Sequence, residues 1–345
     1  MRNSISSTRG WAWWVLANAS ALILIGGTPA PVAAQQQTEF KVGLSALVNT
    51  ALPLYLADAG GFYAKQGLKV AISDMGGGTR GAQALEAGEL QVMHVGLSGV
   101  ADRNTKGGNL RVIASLSNVM RFTFFSDPKV KTAADLKGGI VGVSSFGSES
   151  DSAATLALQK LGLTRGDVTV KEVGGSPQRL AAIKSGAIKA AAMNEPIASM
   201  AREQGLFPMV DLFAEQIPWL FTGLSVDKHY LDGHRELLTR FMKATLEGSY
   251  RGLADEKWAK EVLAKAFKLS DPKIINIAYT DFKAQMPENA MPTRAAAENV
   301  LAQLQSFGIK LKSQKVEDYV DTSILDALAK DGTLDALHKK YGKRY

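Results

Sequence analysis

Six short stretches collect the residues that could do chemistry: Ser45-Ala-Leu-Val-Asn-Thr50, Gly76-Gly-Gly-Thr79, Gly96-Leu-Ser98, Ser144-Ser-Phe-Gly-Ser148, Gly174-Gly-Ser-Pro177 and Asn194-Glu-Pro196. They are rich in Gly, Ser, Thr and Asn and hold one acid, Glu195. A strand that turns on small residues into a helix points bare backbone N–H groups at whatever lies in front of the turn. Such a helix end favours an anionic group by roughly 0.3–1 kcal/mol when exposed and by more when partly buried. Several of them converging, with apolar burial, could supply the ~8 kcal/mol of a micromolar complex. The chemistry on offer is retention by neutral donors. Taken singly, each Ser or Thr also reads as the cap of its own helix.

Reactive constellations do not emerge. The four histidines, His94, His229, His234 and His338, form no His-x-x-x-His pair, so no metal site is expected, and His94 reads as a packed strand residue. No Gly-x-Ser-x-Gly elbow occurs. Gly76-Gly-Gly78 is neither a phosphate loop with a following Lys-Ser/Thr nor the spaced-glycine dinucleotide fingerprint, and no cofactor is expected. The pairs Glu149/Asp151 and Glu317/Asp318 read as helix-start or surface charges. Arg121 could grip a carboxylate or sulfonate with its fork, or form a structural ion pair. Trp219 and Phe221 could wall a ligand or fill core. With no cysteine, thiol catalysis, thiolate metal sites and disulfides are excluded.

The elements that must position these loops follow from the pattern. Phe40–Ser45, Leu68–Ile72, Leu90–Val95 and Leu110–Leu116 read as strands with helices between them, the first over Leu52–Asp58 with Asn49 or Thr50 as its cap. This β-α-β-α-β-α-β run is the pattern of a parallel sheet. It then restarts. Val42-Gly-Leu-Ser45 returns as Val141-Gly-Val-Ser144. Gly77-Gly78 with Ala84-Leu85…Gly88…Leu90 returns as Gly175-Ser176 with Ala182-Ile183…Gly186…Ile188, at nearly the same offset. Two matches in one order argue for two similar Rossmann-like α/β lobes with a cleft between them; chance likeness of generic strand–glycine–helix units is the competing explanation. Ligands of open α/β sheets bind beyond the carboxyl ends of the strands, where these loops lie. The chain crosses between lobes near Arg121–Phe125 and again near Trp219–Val226. This gives a first lobe of residues 35–121 and 225–345 and a second of residues 122–224. After Gly233, helical spacing recurs over Glu236–Tyr250, Glu256–Phe267, Asp271–Gln285, Thr293–Phe307 and Ser323–Leu328, a helical segment expected to pack on the first lobe.

The bulk numbers agree. The 345 residues are 46% hydrophobic and 21% charged, ordinary globular composition. Residues 1–34 read as a signal peptide: Arg2 and Arg9 precede an apolar run from Trp11 to Gly27, and Val32-Ala-Ala34 offers a cleavage site. A retained anchor is the alternative. The run is short for a span and lacks a basic stop-transfer cluster, which favours cleavage near Ala34 and a mature chain without a membrane span. The formal charge of +7 is spread over helix surfaces, apart from Lys339, Lys340, Lys343 and Arg344. No basic stripe with interleaved aromatics points to nucleic acid.

Longer strings carry a family likeness: Pro53-Leu-Tyr-Leu-Ala-Asp-Ala-Gly-Gly-Phe-Tyr-Ala-Lys-Gln-Gly-Leu-Lys-Val70, Ala84-Leu-Glu-Ala-Gly-Glu-Leu-Gln-Val92, Ala134-Asp-Leu-Lys-Gly-Gly139, and Ala181-Ala-Ile-Lys-Ser-Gly-Ala-Ile-Lys-Ala-Ala191 before Asn194-Glu-Pro196. Across almost the whole mature chain this resembles the nitrate/sulfonate/taurine class of ABC-transporter substrate-binding proteins. The resemblance implies a two-lobed type II periplasmic binding protein with a hinged cleft. It implies a monomer in the periplasm that captures a small sulfonate-, carboxylate- or nitrate-like anion and delivers it to an ABC permease and its ATPase. Ligand contacts carried over are Ser45, Asn49, Thr50, Gly78, Thr79, Ser98, Ser145, Gly147, Ser148, Asn194 and Glu195; the residues themselves add Arg121 and Trp219. No catalytic residue is implied. A protein presenting its ligand to a membrane receptor would have the same cleft, and Glu195 is compatible with an amine-bearing or zwitterionic ligand. An enzyme of similar fold, the eukaryotic pyrimidine synthase of the thiamine pathway, carries a cysteine-rich motif that this chain lacks.

Overall fold

The computed structural model describes residues 37–342. The signal segment, Lys343 and Arg344 lie outside the described residues.

Along β1 (Thr38–Leu44), Phe40, Val42 and Leu44 point inward and Lys41 outward, the alternation of a strand with one covered face. The chain continues through α1 (Leu52–Ala59), α2 (Phe62–Lys65), β2 (Leu68–Asp74), α3 (Gly78–Glu86), β3 (Val92–Val95), α4 (Leu97–Thr105) and β4 (Leu110–Val119). The second half of the repeat follows as β5 (Thr123–Ser126), α5 (Ala133–Leu136), β6 (Ile140–Val143), α6 (Glu149–Lys160), β7 (Thr169–Glu172), α7 (Ser176–Lys184), β8 (Ala190–Met193), α8 (Ile197–Glu203) and β9 (Phe207–Asp211). β10 (Pro218–Asp227) leads into α9 (Lys228–Gly233), α10 (Arg235–Ala254), α11 (Glu256–Phe267), α12 (Pro272–Gln285), α13 (Arg294–Ser306), α14 (Ser323–Lys330) and α15 (Thr333–Tyr341).

Two five-stranded sheets result, ordered β2-β1-β3-β10-β4 and β7-β6-β8-β5-β9. Position by position they are the same sheet. β1, β2 and β3 run parallel, as do β6, β7 and β8. In each sheet the fourth strand is antiparallel and is the strand that has just arrived from the other lobe. The repeat seen in the sequence is therefore a repeat of topology. The all-parallel expectation fails only at that fourth strand: β4 and β9, antiparallel to it, run in the same direction as the other three strands of their sheets.

β10 also corrects the lobe boundary. Residues 218–224, assigned to the second lobe from the sequence, pair with β3 and β4 in the first sheet. The expected crossing at Trp219–Val226 is instead a central strand buried on both faces, with a register shift at Thr222/Gly223. The real crossings are Met120–Phe122 and the turn at 212–217. They lie side by side: the Met120 N–H donates to Ile217 O at 3.0 Å, and the Phe213 N–H to Phe122 O at 3.1 Å.

The five expected C-terminal helices are present, and they cover the first lobe. Phe241 of α10 stacks on Phe40 at 4.8 Å and on Tyr63 at 5.4 Å between ring centroids. One buried apolar cluster joins α10, α11, α12 and α14 to β1, α1 and β2. Another runs from α3, α4, α13 and β10 through Phe122 and Phe124 into β6, α6 and β8, so core packing continues from one lobe to the other. No helix among the described residues is long and apolar enough to cross a membrane.

Candidate ligand-binding cleft

The carboxyl ends of the strands in both sheets open on one cleft, with a cavity of about 40 Å³. Ser45 and Gly78 line it from the first lobe, and Ser144, Ser148, Gly175, Ser176 and Asn194 from the second, with Val48, Val95, Phe122 and Phe221 as apolar walls. The sequence-expected Ser45, Gly78, Ser148 and Asn194 thus meet there.

Ser148 does two things at once. It is the N-cap of α6, accepting the Asp151 N–H at 3.3 Å, and it belongs to a hydroxyl triangle with Ser144 (2.9 Å) and Ser150 (3.0 Å). Gly147 sits beside the cleft at φ +76°, and a Cβ there would fall 2.5 Å from the Asp102 carboxyl carbon of the other lobe. Only glycine meets both conditions. The neighbouring Ser145 hydroxyl is buried without a partner. Thr79 donates across the cleft mouth to Phe146 O at 2.7 Å.

Asn49, Thr50 and Arg121 do not line this cleft; they face α12. The Asn49 amide donates to Ala278 O (3.3 Å) and to the Asp281 carboxylate (3.0 Å), and Thr50 pairs with the His94 ring at 3.1 Å. Neither side chain caps the first helix, whose N-cap position is Ala51. Burial lowers the His94 pKa to about 4, so the ring is a neutral core partner. Of the two roles open to Arg121, the structure takes the ion pair: its guanidinium and the Asp281 carboxylate bond within the core, with the Phe213 ring 4.6 Å from the guanidinium carbon. Glu195 is occupied as well, accepting from Ser199 N–H (3.0 Å) and Arg202 (3.1 Å).

Ser98 and Trp219 lead to a residue that sequence reasoning placed on the surface. Glu149, the first residue of α6, sends its carboxyl across to the first lobe. There it accepts from Ser98 N–H (2.8 Å), Ser98 Oγ (2.9 Å) and the Trp219 indole N–H (2.6 Å). Gly96 makes room, since a Cβ there would overlap this carboxyl and Phe221 O. The residue is partly exposed but its carboxyl is enclosed, and burial outweighs the three donors to raise its pKa to about 7. Its start-of-helix position suggested a dipole-facing surface acid; the dipole it meets belongs to α4 of the other lobe.

Arg179 is the second residue missed. It lies in the first turn of α7, 2% exposed, and lines the cleft. Its guanidinium donates to Gly174 O (3.1 Å) and Ser176 Oγ (2.9 Å), and Nε has no acceptor. Burial lowers its pKa to about 9, which leaves it charged at neutral pH. A signal was available: aligning the repeats places Arg179 opposite Gly81, a long cation where the first copy has no side chain. No group of three His, Asp or Glu among the described residues is placed to hold a metal ion.

Two like-built α/β lobes joined by paired crossings, with a donor-lined cleft between them, are the fold of periplasmic binding proteins. The chain matches the family described as NMT1/THI5 like over residues 49–259 and belongs to that family. It is 29% identical over 244 residues to the riboflavin-binding protein RibY of Chloroflexus aurantiacus, a match covering 66% of this chain and 65% of that relative's length. Its fold is similar to that of a solved protein from Bordetella bronchiseptica RB50, with TM-score 0.74 and 21% identity over 89% of this chain and 99% of the other. It is also similar to the alkanesulfonate-binding protein SsuA of Xanthomonas axonopodis pv. citri bound to MOPS, with TM-score 0.68 and 18% identity over 83% and 99%. The resemblance to the nitrate/sulfonate/taurine class is borne out at the level of family and fold. Solved structures similar in fold are mostly binding proteins.

Proposed function

We propose that this chain is the exported solute-binding component of an ABC importer. It holds a small organic or inorganic anion between its lobes and delivers it to a membrane permease with its ATPase. The observation that carries this reading is the cleft itself: corresponding loops of the two repeats face each other there and present hydroxyl, amide and helix-end donors. The residues there are suited to retention. The serine hydroxyls are bonded to one another, and the cleft carboxyl, Glu149, is engaged by three donors. Export to the periplasm rests on the signal-like residues 1–34.

A second reading has its own support. RibY is a riboflavin-binding protein, and Phe122 and Phe221 would suit the faces of a flat heterocycle. One thermal-shift screen separates the two, because a ligand that binds only the folded state raises the melting temperature. Sulfonates, carboxylates or nitrate raise it under the first reading; riboflavin alone does so under the second. If neither class shifts the transition, the binding-protein reading is wrong.

A further inference from the structure

Two arginines in this chain are buried near the lobe junction, and they are buried on opposite terms. Arg121 has the Asp281 carboxylate against it, and Asn49 holds that carboxylate in place. Arg179 has only neutral partners, the Gly174 carbonyl and the Ser176 hydroxyl, and among the described residues no carboxylate lies within ion-pair distance of it. Taking a charge out of water without a counter-charge is costly, and folds normally avoid it. The cost is accounted for if the counter-charge arrives with a ligand.

The surroundings point the same way. Because Ser176 Oγ accepts from Arg179, its own hydrogen goes to Asn194 Oδ1 at 3.0 Å, which leaves the Asn194 NH₂ as a further donor with no partner among the described residues. Ser176 also opens α7, whose first N–H groups have no intrahelical acceptor. The other charged residue lining the cleft, Glu149, is committed to first-lobe donors.

Resting on the binding-protein reading above, we infer that Arg179 is the anchor for an oxyanion group, a carboxylate, sulfonate or phosphate. It holds that group in the second lobe with the Asn194 amide and the start of α7, while the rest of the ligand meets the apolar wall of the first lobe. The planar fork of the guanidinium matches two oxygens of such a group, which an ammonium cannot do.

The test uses the full chain with acetate, methanesulfonate and inorganic phosphate as probes, at ionic strength matched with chloride. At least one probe should raise the wild-type melting temperature. Arg179→Met should erase that rise while melting, without probe, at or above the wild-type temperature, because an uncompensated charge has been removed. Arg179→Lys should weaken the probe's midpoint at least tenfold. The anchor is overturned if no probe shifts the wild type or if Arg179→Met keeps the rise. Should Arg179→Met melt well below wild type or fail to fold, Arg179→Lys decides: an unchanged midpoint overturns the inference and a tenfold loss supports it. Riboflavin serves as the arm that separates the two claims. A riboflavin shift equal in wild type and Arg179→Lys, without any oxyanion shift, sinks the anchor and leaves the binding protein standing; no shift with any compound sinks both.

Discussion

Glu149 and His94 titrate in opposite senses, and their overlap has a measurable consequence. Burial raises the Glu149 pKa to about 7, so between its ordinary value and 7 the folded chain holds a proton that the unfolded chain has released. That contribution is present at low pH and is lost as pH rises through 7. Burial lowers the His94 pKa to about 4, so the unfolded chain takes up the extra proton and stability is lost as pH falls from 6.5 to 4. Each effect is at most ~3 kcal/mol. In the wild type the two slopes offset one another between pH 4.5 and 6.5. Glu149→Gln removes one of them, so its denaturation midpoint should climb with pH across that window while the wild type stays nearly level. Parallel profiles would show that Glu149 is not the buried acid described. His94 was legible as a packed strand residue, and Glu149 was not: an acid at the start of a helix reads as a surface charge until its opposite wall is known.

Helices were the most legible elements, because their apolar spacing is set by neighbours three and four residues away. α11, α12 and α13 begin and end within one residue of their expected bounds, and α10 runs four residues past its expected end. Their docking was not visible. α10 presses two glycines on α1, and a Cβ at Gly248 would lie 2.5 Å from Ala57 N, backbone that cannot move aside like a flexible side chain. Gly248→Val should therefore lower stability by at least about 1–3 kcal/mol through overpacking, read as a shift of the urea midpoint; an unshifted midpoint would mean that the two helices can separate at no cost. β10 shows the converse difficulty. Trp219–Val226 read only as a crossing between lobes, because the sheet that these residues join is set by β3 and β4, far earlier in the chain.

At the scale of the whole molecule the described conformation is closed. Thr79 reaches Phe146, Ser98 meets Ser152 at 3.3 Å, and Glu149 spans to Trp219, all between lobes. A cavity of about 40 Å³ admits only a few heavy atoms, since one water takes about 10–15 Å³ on this measure. A larger ligand requires the lobes to part about Met120–Phe122 and 212–217, where two adjacent strands of backbone are the only covalent links. Small-angle scattering without ligand should give a larger radius of gyration than this conformation, and a ligand that raises the melting temperature should bring the two together. A ligand-free curve that already fits, and does not change, would count against the hinge. What the sequence by itself determined is everything local and repeated: the duplicated strand–loop–helix units, the donor-rich loops, the helices after Gly233. What only the tertiary structure decided is the meaning of the charges. Arg121 is neutralised by an acid 160 residues further along, and Glu149 takes a hydrogen bond from an indole 70 residues away. Arg179 is left without such a partner. A charged side chain reports its role through what the fold brings against it, and spacing along the chain carries no record of that.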